Sequence, residues 1–261
     1  MLRLYRELYR RSPILAVAGW IHFGLLAITL PLAFWDTRLV TGIDPWIKPS
    51  KFAISIGLYL WTIGWLSIHL QISQRRQRTL AWSIAIVMAA EMSLIFMQAA
   101  RGVPSHFNTT TVFDAAVFYV MGFLIVLNTM IVLIIMLLFW LRPAENINSP
   151  YLWGIRLGMF LFFLSSVQGF AMIANRGHTV GMEDGGPGLP ILNWSTKAGD
   201  LRIPHFLGLH SIQIFPLMGH FLNRHERWRK AAYVVAAAMI YFGLLLFLLW
   251  QALHGRPLFA L

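Results

Sequence analysis

Glu91 sits near the middle of the run Leu80–Ala100, which is otherwise almost wholly apolar. On insertion scales a charged group at the centre of a membrane-length helix costs about 2.5–3.5 kcal/mol, so an intramembrane carboxyl marks a functional position by default. The structural alternative is a carboxyl bonded to a neighbouring helix as packing glue. Gln98 follows seven residues later on the same helical face. The run Pro204–Leu222 adds His205, His210, Gln213 and His220. At about 100° per residue, His210, Gln213 and His220 share one stripe, and His205 lies off it at the mouth. Glu91 and His210 are the expected acid–base pair, because a carboxyl and an imidazole can trade a proton near neutral pH. The walls of their pocket are expected from Gln98, Gln168 and Gln213. Arg101, Arg176 and Trp194 are placed at its rim to contact a substrate.

A metal is the next possibility. Zinc accepts His nitrogen and carboxylate oxygen, and catalytic sites use three protein ligands plus water. His106, His205 and His210 are the candidate ligands, with His178 nearby in Arg176-Gly-His-Thr. No HExxH is present, and His225-Glu226 only begins one, since its fifth position is Arg229. A bis-His haem needs two histidines at matching depth. His69 and His220 are the pair to consider, although interfacial histidines are the simpler account. The chain has no cysteine, which excludes disulfides, thiolate metal sites and cysteine nucleophiles. A retinal Schiff base would need a lysine well inside a span, and Lys48, Lys51, Lys197 and Lys230 do not supply one. Thr111 and Asp114 read as a capping box. Glu183 and Asp184 before Gly-Gly-Pro-Gly read as turn chemistry.

The elements that must hold these groups are membrane helices. Apolar residues make up 58% of the 261 residues and charged residues 12%, against about 25% charged in soluble domains. This excludes disordered chains, solvated nucleic-acid modules and most soluble enzymes. A span needs about 20 mainly apolar residues. Seven runs are expected to cross: Ile14–Trp35, Ser50–Leu70, Leu80–Ala100, Val112–Leu141, Tyr151–Asn175, Pro204–Leu222 and Ala231–Leu253. The sixth contains Pro216, which predicts a kink. The fold class is therefore all-α, a seven-helix polytopic bundle forming a single membrane domain over 1–261.

The net charge of +11 is read as orientation rather than nucleic-acid binding. Basic residues gather at Arg3, Arg6, Arg10 and Arg11, at Arg75, Arg76 and Arg78, and at Arg224, Arg227 and Arg229. Acids, apart from Glu7, Glu145 and Glu226, fall on the other side. The positive-inside rule then gives an N-in, C-out chain. Residues 1–12 alternate arginine with leucine and tyrosine, and are expected to lie along the inner interface. The long connection 176–203 is rich in glycine yet carries the apolar piece Leu189–Trp194, which predicts a packed lid over the outer mouth.

Three functions fit this layout. The first is a membrane-embedded enzyme, with or without a divalent metal, acting on a lipid-soluble or periplasm-side small substrate. The second is a proton-coupled transporter. The third is a haem-binding, structural or sensory subunit. Expected partners are membrane lipids and a small-molecule or lipid ligand, with no nucleic acid. The short basic inner loops fit a bacterial inner membrane, with the site facing the periplasm.

Overall fold

Apolar runs of membrane length have no water to satisfy their backbone groups, so they close N–H and C=O internally as helices. A computed structural model describes residues 2–142, 147–224 and 230–260. In order it contains α1 (Leu2–Arg11), α2 (Pro13–Gly24), α3 (Leu26–Trp35), α4 (Ile47–Leu66), α5 (Gln74–Arg101), α6 (Val112–Leu141) and α7 (Ser149–Asn175). The strands β1 (Thr179–Val180) and β2 (Gly199–Asp200) follow, then α8 (Arg202–Leu209), α9 (Ser211–Leu222) and α10 (Ala231–Leu253). Glu145, His225, Glu226, Arg227 and Arg229, used above for orientation and for the partial zinc motif, lie outside the described residues.

Among the described residues six helical stretches are long and apolar enough to cross a membrane: Pro13–Trp35, Ile47–His69, Gln74–Arg101, Val112–Leu141, Ser149–Asn175 and Ala231–Leu253. Their surfaces agree with their lengths. Phe34 is 87% exposed, Val112 90% and Ile240 76%, a degree of outward apolar display that suits lipid. The protein is thus a helical integral membrane protein.

The expected span Pro204–Leu222 is two short helices rather than one. The chain turns at His210, between α8 and α9, where His210 N–H reaches Phe206 O and Leu207 O. The Ser211 hydroxyl sits at the break, its single proton shared between Gly208 O at 2.6 Å and Gly158 O at 2.8 Å. Pro216 lies inside α9, so the break falls at the His210–Ser211 step rather than at the proline.

The backbone groups into two units, Met1–Ile131 and Val132–Leu261, with the boundary inside α6. In the first, α2 packs on α4 and α5. An aromatic cluster of Tyr5, Trp20, Phe23 and Trp61 joins α1, α2 and α4. Arg11 clamps α1 against α4 by donating to Trp65 O at 2.9 Å. Within the membrane-length part, Tyr59 donates to Asn128 Oδ1 at 2.9 Å, tying α4 to α6.

In the second unit α7 and α9 approach closely through small residues. A Cβ at Gly154 would lie 2.3 Å from Phe215 O, one at Gly158 2.7 Å from Ser211 O, and one at Gly219 2.3 Å from Pro150 O. Small residues spaced by four let helix backbones meet where no hydrophobic force drives them together. Phe215, Leu161, Val234, Ala238 and Leu245 form the core beside this contact. The connection 176–203 is structured. Thr179 and Val180 pair antiparallel with Asp200 and Gly199, and Gly199 packs so tightly on α10 that a Cβ there would overlap Ala252 O.

Candidate functional site

The first unit places Glu91 through the buried stripe of α5. Ile84, Met88, Glu91, Ile95 and Gln98 recur at helical spacing and are all buried. Glu91 is 1% exposed. Neither of its carboxyl oxygens has a hydrogen-bond partner among the described residues. Buried polar groups are normally satisfied, so an orphaned carboxyl at this depth stands out.

His106 is the group that approaches it. His106 Nε2 lies 4.0 Å from Glu91 Oε1. Glu91 is ten residues before Arg101, about 15 Å along the helix, so the following loop must turn back into the bundle mouth. Local chemistry makes that turn. α5 ends on Gly102 at φ +69°, with Gly102 N–H reaching Ala99 O and Val103 N–H reaching Gln98 O, a glycine C-cap of Schellman type. Asn108 Oδ1 then accepts from the Thr110 backbone at 3.2 Å and from its hydroxyl at 2.7 Å. Phe107, next to His106, is held at φ +57°. A bulky residue in the left-handed region stores about 1–2 kcal/mol of strain, and such strain gathers at functional positions.

The other imidazole nitrogen has two neighbours. Lys48 Nζ and Ser105 Oγ each lie 3.1 Å from His106 Nδ1. An ammonium can only donate, so Nδ1 accepts and the ring proton sits on Nε2, toward Glu91. Lys48 is aimed by the loop before α4. Asp44 Oδ1 accepts from Trp46 N–H at 2.7 Å, and Asp36 Oδ2 accepts from the Trp46 indole at 2.8 Å. Arg38 holds Asp36 at 2.6 Å and also reaches Ala100 O, which fastens this loop to the end of α5. The Arg38 guanidinium keeps the Asp36 carboxyl well below the usual carboxylate range. The arrangement is a line, Lys48 to His106 to Glu91, from a loop-side cation to a buried carboxyl.

No protein-family model, curated protein or solved structure matches the chain.

The remaining expected residues are placed as follows. Gln98 is fully buried about two turns after Glu91 on the same helix, but its amide donates to Asp114 Oδ1 at 3.0 Å and accepts from Arg101. Arg101 also bonds Asp114 at 2.5 Å. The Thr111 half of the capping box is formed, with Asp114 N–H reaching Thr111 Oγ1 at 3.1 Å, while Asp114 Oδ2 accepts from the Thr111 hydroxyl at 2.7 Å. Gln98 and Arg101 thus spend their polar groups on a clamp between α5 and α6.

In the second unit, His210 marks the break between α8 and α9 and packs its ring 4.4 Å from Phe206. Trp194 packs edge-on against Phe206 at 5.6 Å, so the apolar piece of the long connection does meet α8. Gln168 donates to Leu201 O at 3.3 Å. His205 Nδ1 lies 2.7 Å from Ser165 O. Arg176 caps α7 in the left-handed region at φ +57°. His178 pairs with Asp184 at 2.5 Å, and Asp184 also accepts from the His178 and Thr179 backbones. Burial opposes the Asp184 charge, but these donors and the His178 ring overcome it and hold the carboxyl well below the usual range.

Glu91 therefore belongs to the first unit and His210 to the second. His106, expected as a metal ligand, is engaged with Lys48, Ser105 and Glu91. The described residues contain no group of three or more His, Cys, Asp or Glu able to share a metal ion, which leaves the trio His106, His205 and His210 without support. His220, considered for haem, bonds Arg224 at 3.2 Å and packs on Tyr151. Sequence reasoning gave Lys48 no part in the site. Its one signal was a lysine at the very start of a span, in Trp46-Ile-Lys-Pro, where a charge faces both loop and bundle.

Proposed function

We propose that this membrane protein passes protons between its loop end and the bundle interior through Lys48, His106 and Glu91, as a proton-coupled carrier of a small solute. One observation carries the reading: a buried carboxyl with two unsatisfied oxygens stands 4.0 Å from an imidazole whose far nitrogen meets a lysine. Closing that gap by about 1 Å reaches proton-transfer distance. The step balances. The Nε2–H bond breaks as a Glu91 O–H bond forms, and Nδ1 takes a proton from Lys48. Glu91 becomes a neutral acid, Lys48 a neutral amine, and the imidazole returns as its other tautomer. Release of the Glu91 proton to the bundle interior, re-protonation of Lys48 from the loop side and ring reversal reset the line.

We place the loop end toward the periplasm of a bacterial inner membrane, on the strength of the basic bias of the opposite end. The test is reconstitution into proteoliposomes with a trapped pH dye. A pH gradient is expected to drive proton uptake that His106→Asn and Glu91→Gln each abolish. Uptake unchanged in both variants overturns the reading.

A second reading rests on Ser105. Its hydroxyl lies 3.1 Å from His106 Nδ1 and it is buried. Serine, imidazole and carboxyl are the parts of a hydrolase triad, which would suit an enzyme acting on a lipid-soluble ester. Lys48 competes for the same nitrogen, which favours the proton path. A fluorophosphonate probe separates the two: labelling that disappears in Ser105→Ala supports the enzyme, and no labelling supports the carrier.

A further inference from the structure

Five arginines among the described residues hold carboxylates. Arg10 and Arg11 hold Glu7, Arg38 holds Asp36, Arg101 holds Asp114 and Arg202 holds Asp200. Like Arg3, Arg6 and Arg76, Arg75 and Arg78 do not. They are exposed in the first turns of α5, and no carboxylate meets them among the described residues.

Both lie on the outward face of α5, on a stripe shared with Gln74, Thr79, Trp82, Ser83 and Ile86. The spacing keeps these residues on one stripe. At 1.5 Å per residue, Arg75 is about 10 Å from Trp82 and about 16 Å from Ile86 along the axis. The stripe runs from guanidinium through hydroxyls to an indole and then an aliphatic side chain. Trp82 is 56% exposed and Ile86 61%, so its deep end is open to lipid. A phospholipid presents the same order from water inward: phosphate, glycerol ester, acyl chain. Guanidinium is matched to phosphate by its planar pair of donors, and tryptophan settles at the headgroup level.

We propose that this stripe of α5 binds one anionic phospholipid, with Arg75 and Arg78 holding the phosphate and Trp82 and Ile86 packing on the upper acyl chain. Charge complementarity decides the occupant. Two unpaired guanidinium groups above an apolar floor favour a lipid with net negative charge over a zwitterionic one. The site is independent of the proton path and stands whether or not Glu91 moves a proton.

The test is native mass spectrometry of the full chain in detergent, titrated with phosphatidylglycerol, phosphatidylcholine or inorganic phosphate. Phosphatidylglycerol is expected to bind first, with phosphatidylcholine weaker and phosphate unable to displace the lipid. The double variant Arg75→Gln/Arg78→Gln is expected to lose about 30-fold in phosphatidylglycerol retention and to leave phosphatidylcholine unchanged. The matched variant Arg3→Gln/Arg6→Gln removes two exposed charges from α1 and is expected to keep the preference. Trp82→Ala leaves both charges in place, alters no core residue, and is expected to weaken retention about five-fold. Full preference in the α5 double variant overturns the proposal, as does equal loss in the α1 control or displacement by inorganic phosphate. If the α5 double variant does not fold, undiminished retention in Trp82→Ala overturns it alone.

Discussion

Replacing Glu91 with methionine should make the protein more stable and stop it working. A carboxyl without partners at the centre of a membrane helix is unfavourable in either form, by about 2.5–3.5 kcal/mol if charged and by about 1–3 kcal/mol if neutral. Hydrogen bonds would normally offset part of this, but both Glu91 oxygens lack partners and the nearest imidazole nitrogen is 4.0 Å away. A side chain of similar length without polar atoms removes that cost and fills the same space between Met88 and Ile95. Exchanges of buried ionic groups for apolar ones stabilise other proteins by about 1–4 kcal/mol, and Glu91→Met should fall at the lower end of that range. Glu91→Gln should lie near zero, since the amide sheds the charge yet remains unsatisfied at about 1–3 kcal/mol. Both variants should lose proton uptake by about 100-fold or more, the usual scale of a positioned acid or base. Unfolding in mixed detergent, followed by circular dichroism, gives the first quantity, and dye-loaded proteoliposomes give the second. A Glu91→Met protein that is less stable than the parent would mean the carboxyl is structural glue, and the reasoning fails. Full uptake in that variant would remove the carboxyl from the proton path.

Three further outcomes are expected. Asp184→Asn should cost about 1–3 kcal/mol at neutral pH, because the carboxylate accepts from His178 and two backbone N–H groups. Folding depresses the Asp184 pKa, so this stabilisation is full above the ordinary carboxylate range and is lost as pH falls through the folded value; melting curves should show parent and variant converging in acid, and a gap that widens there would contradict the assignment. Gly154→Ala should destabilise by about 1–3 kcal/mol through overpacking, since its Cβ would sit 2.3 Å from Phe215 O, and an unchanged melting temperature would show that α7 and α9 are looser than described. Arg176→Gly should stabilise by about 1 kcal/mol by relieving the left-handed backbone at φ +57°; a loss of stability instead would reveal a side-chain contact that outweighs the strain.

Composition and run length were enough to establish a helical membrane protein, because a backbone in lipid has so few ways to satisfy itself that hydropathy nearly dictates the element. The same economy made Glu91 legible: a carboxyl in an apolar run is costly wherever the run packs. Asp114 was legible too, since capping is decided within four residues. Partnership was not. The sequence could not single out His106 as a neighbour of Glu91, because the folded chain brings it there through a loop that returns into the bundle. That return depends on Gly102, Phe107 and Asn108 adopting particular backbone angles. Lys48 reaches the same imidazole because Asp36, Arg38 and Trp46 fix a separate loop 58 positions earlier in the chain. The break at His210 also escaped the sequence, where Pro216 drew the expected kink, since it depends on Ser211 finding Gly158 on another helix. Local terms are written in neighbouring residues and can be read from them. Which distant side chains meet is set by how helices pack and loops close, and that energy is distributed over contacts that no short window contains.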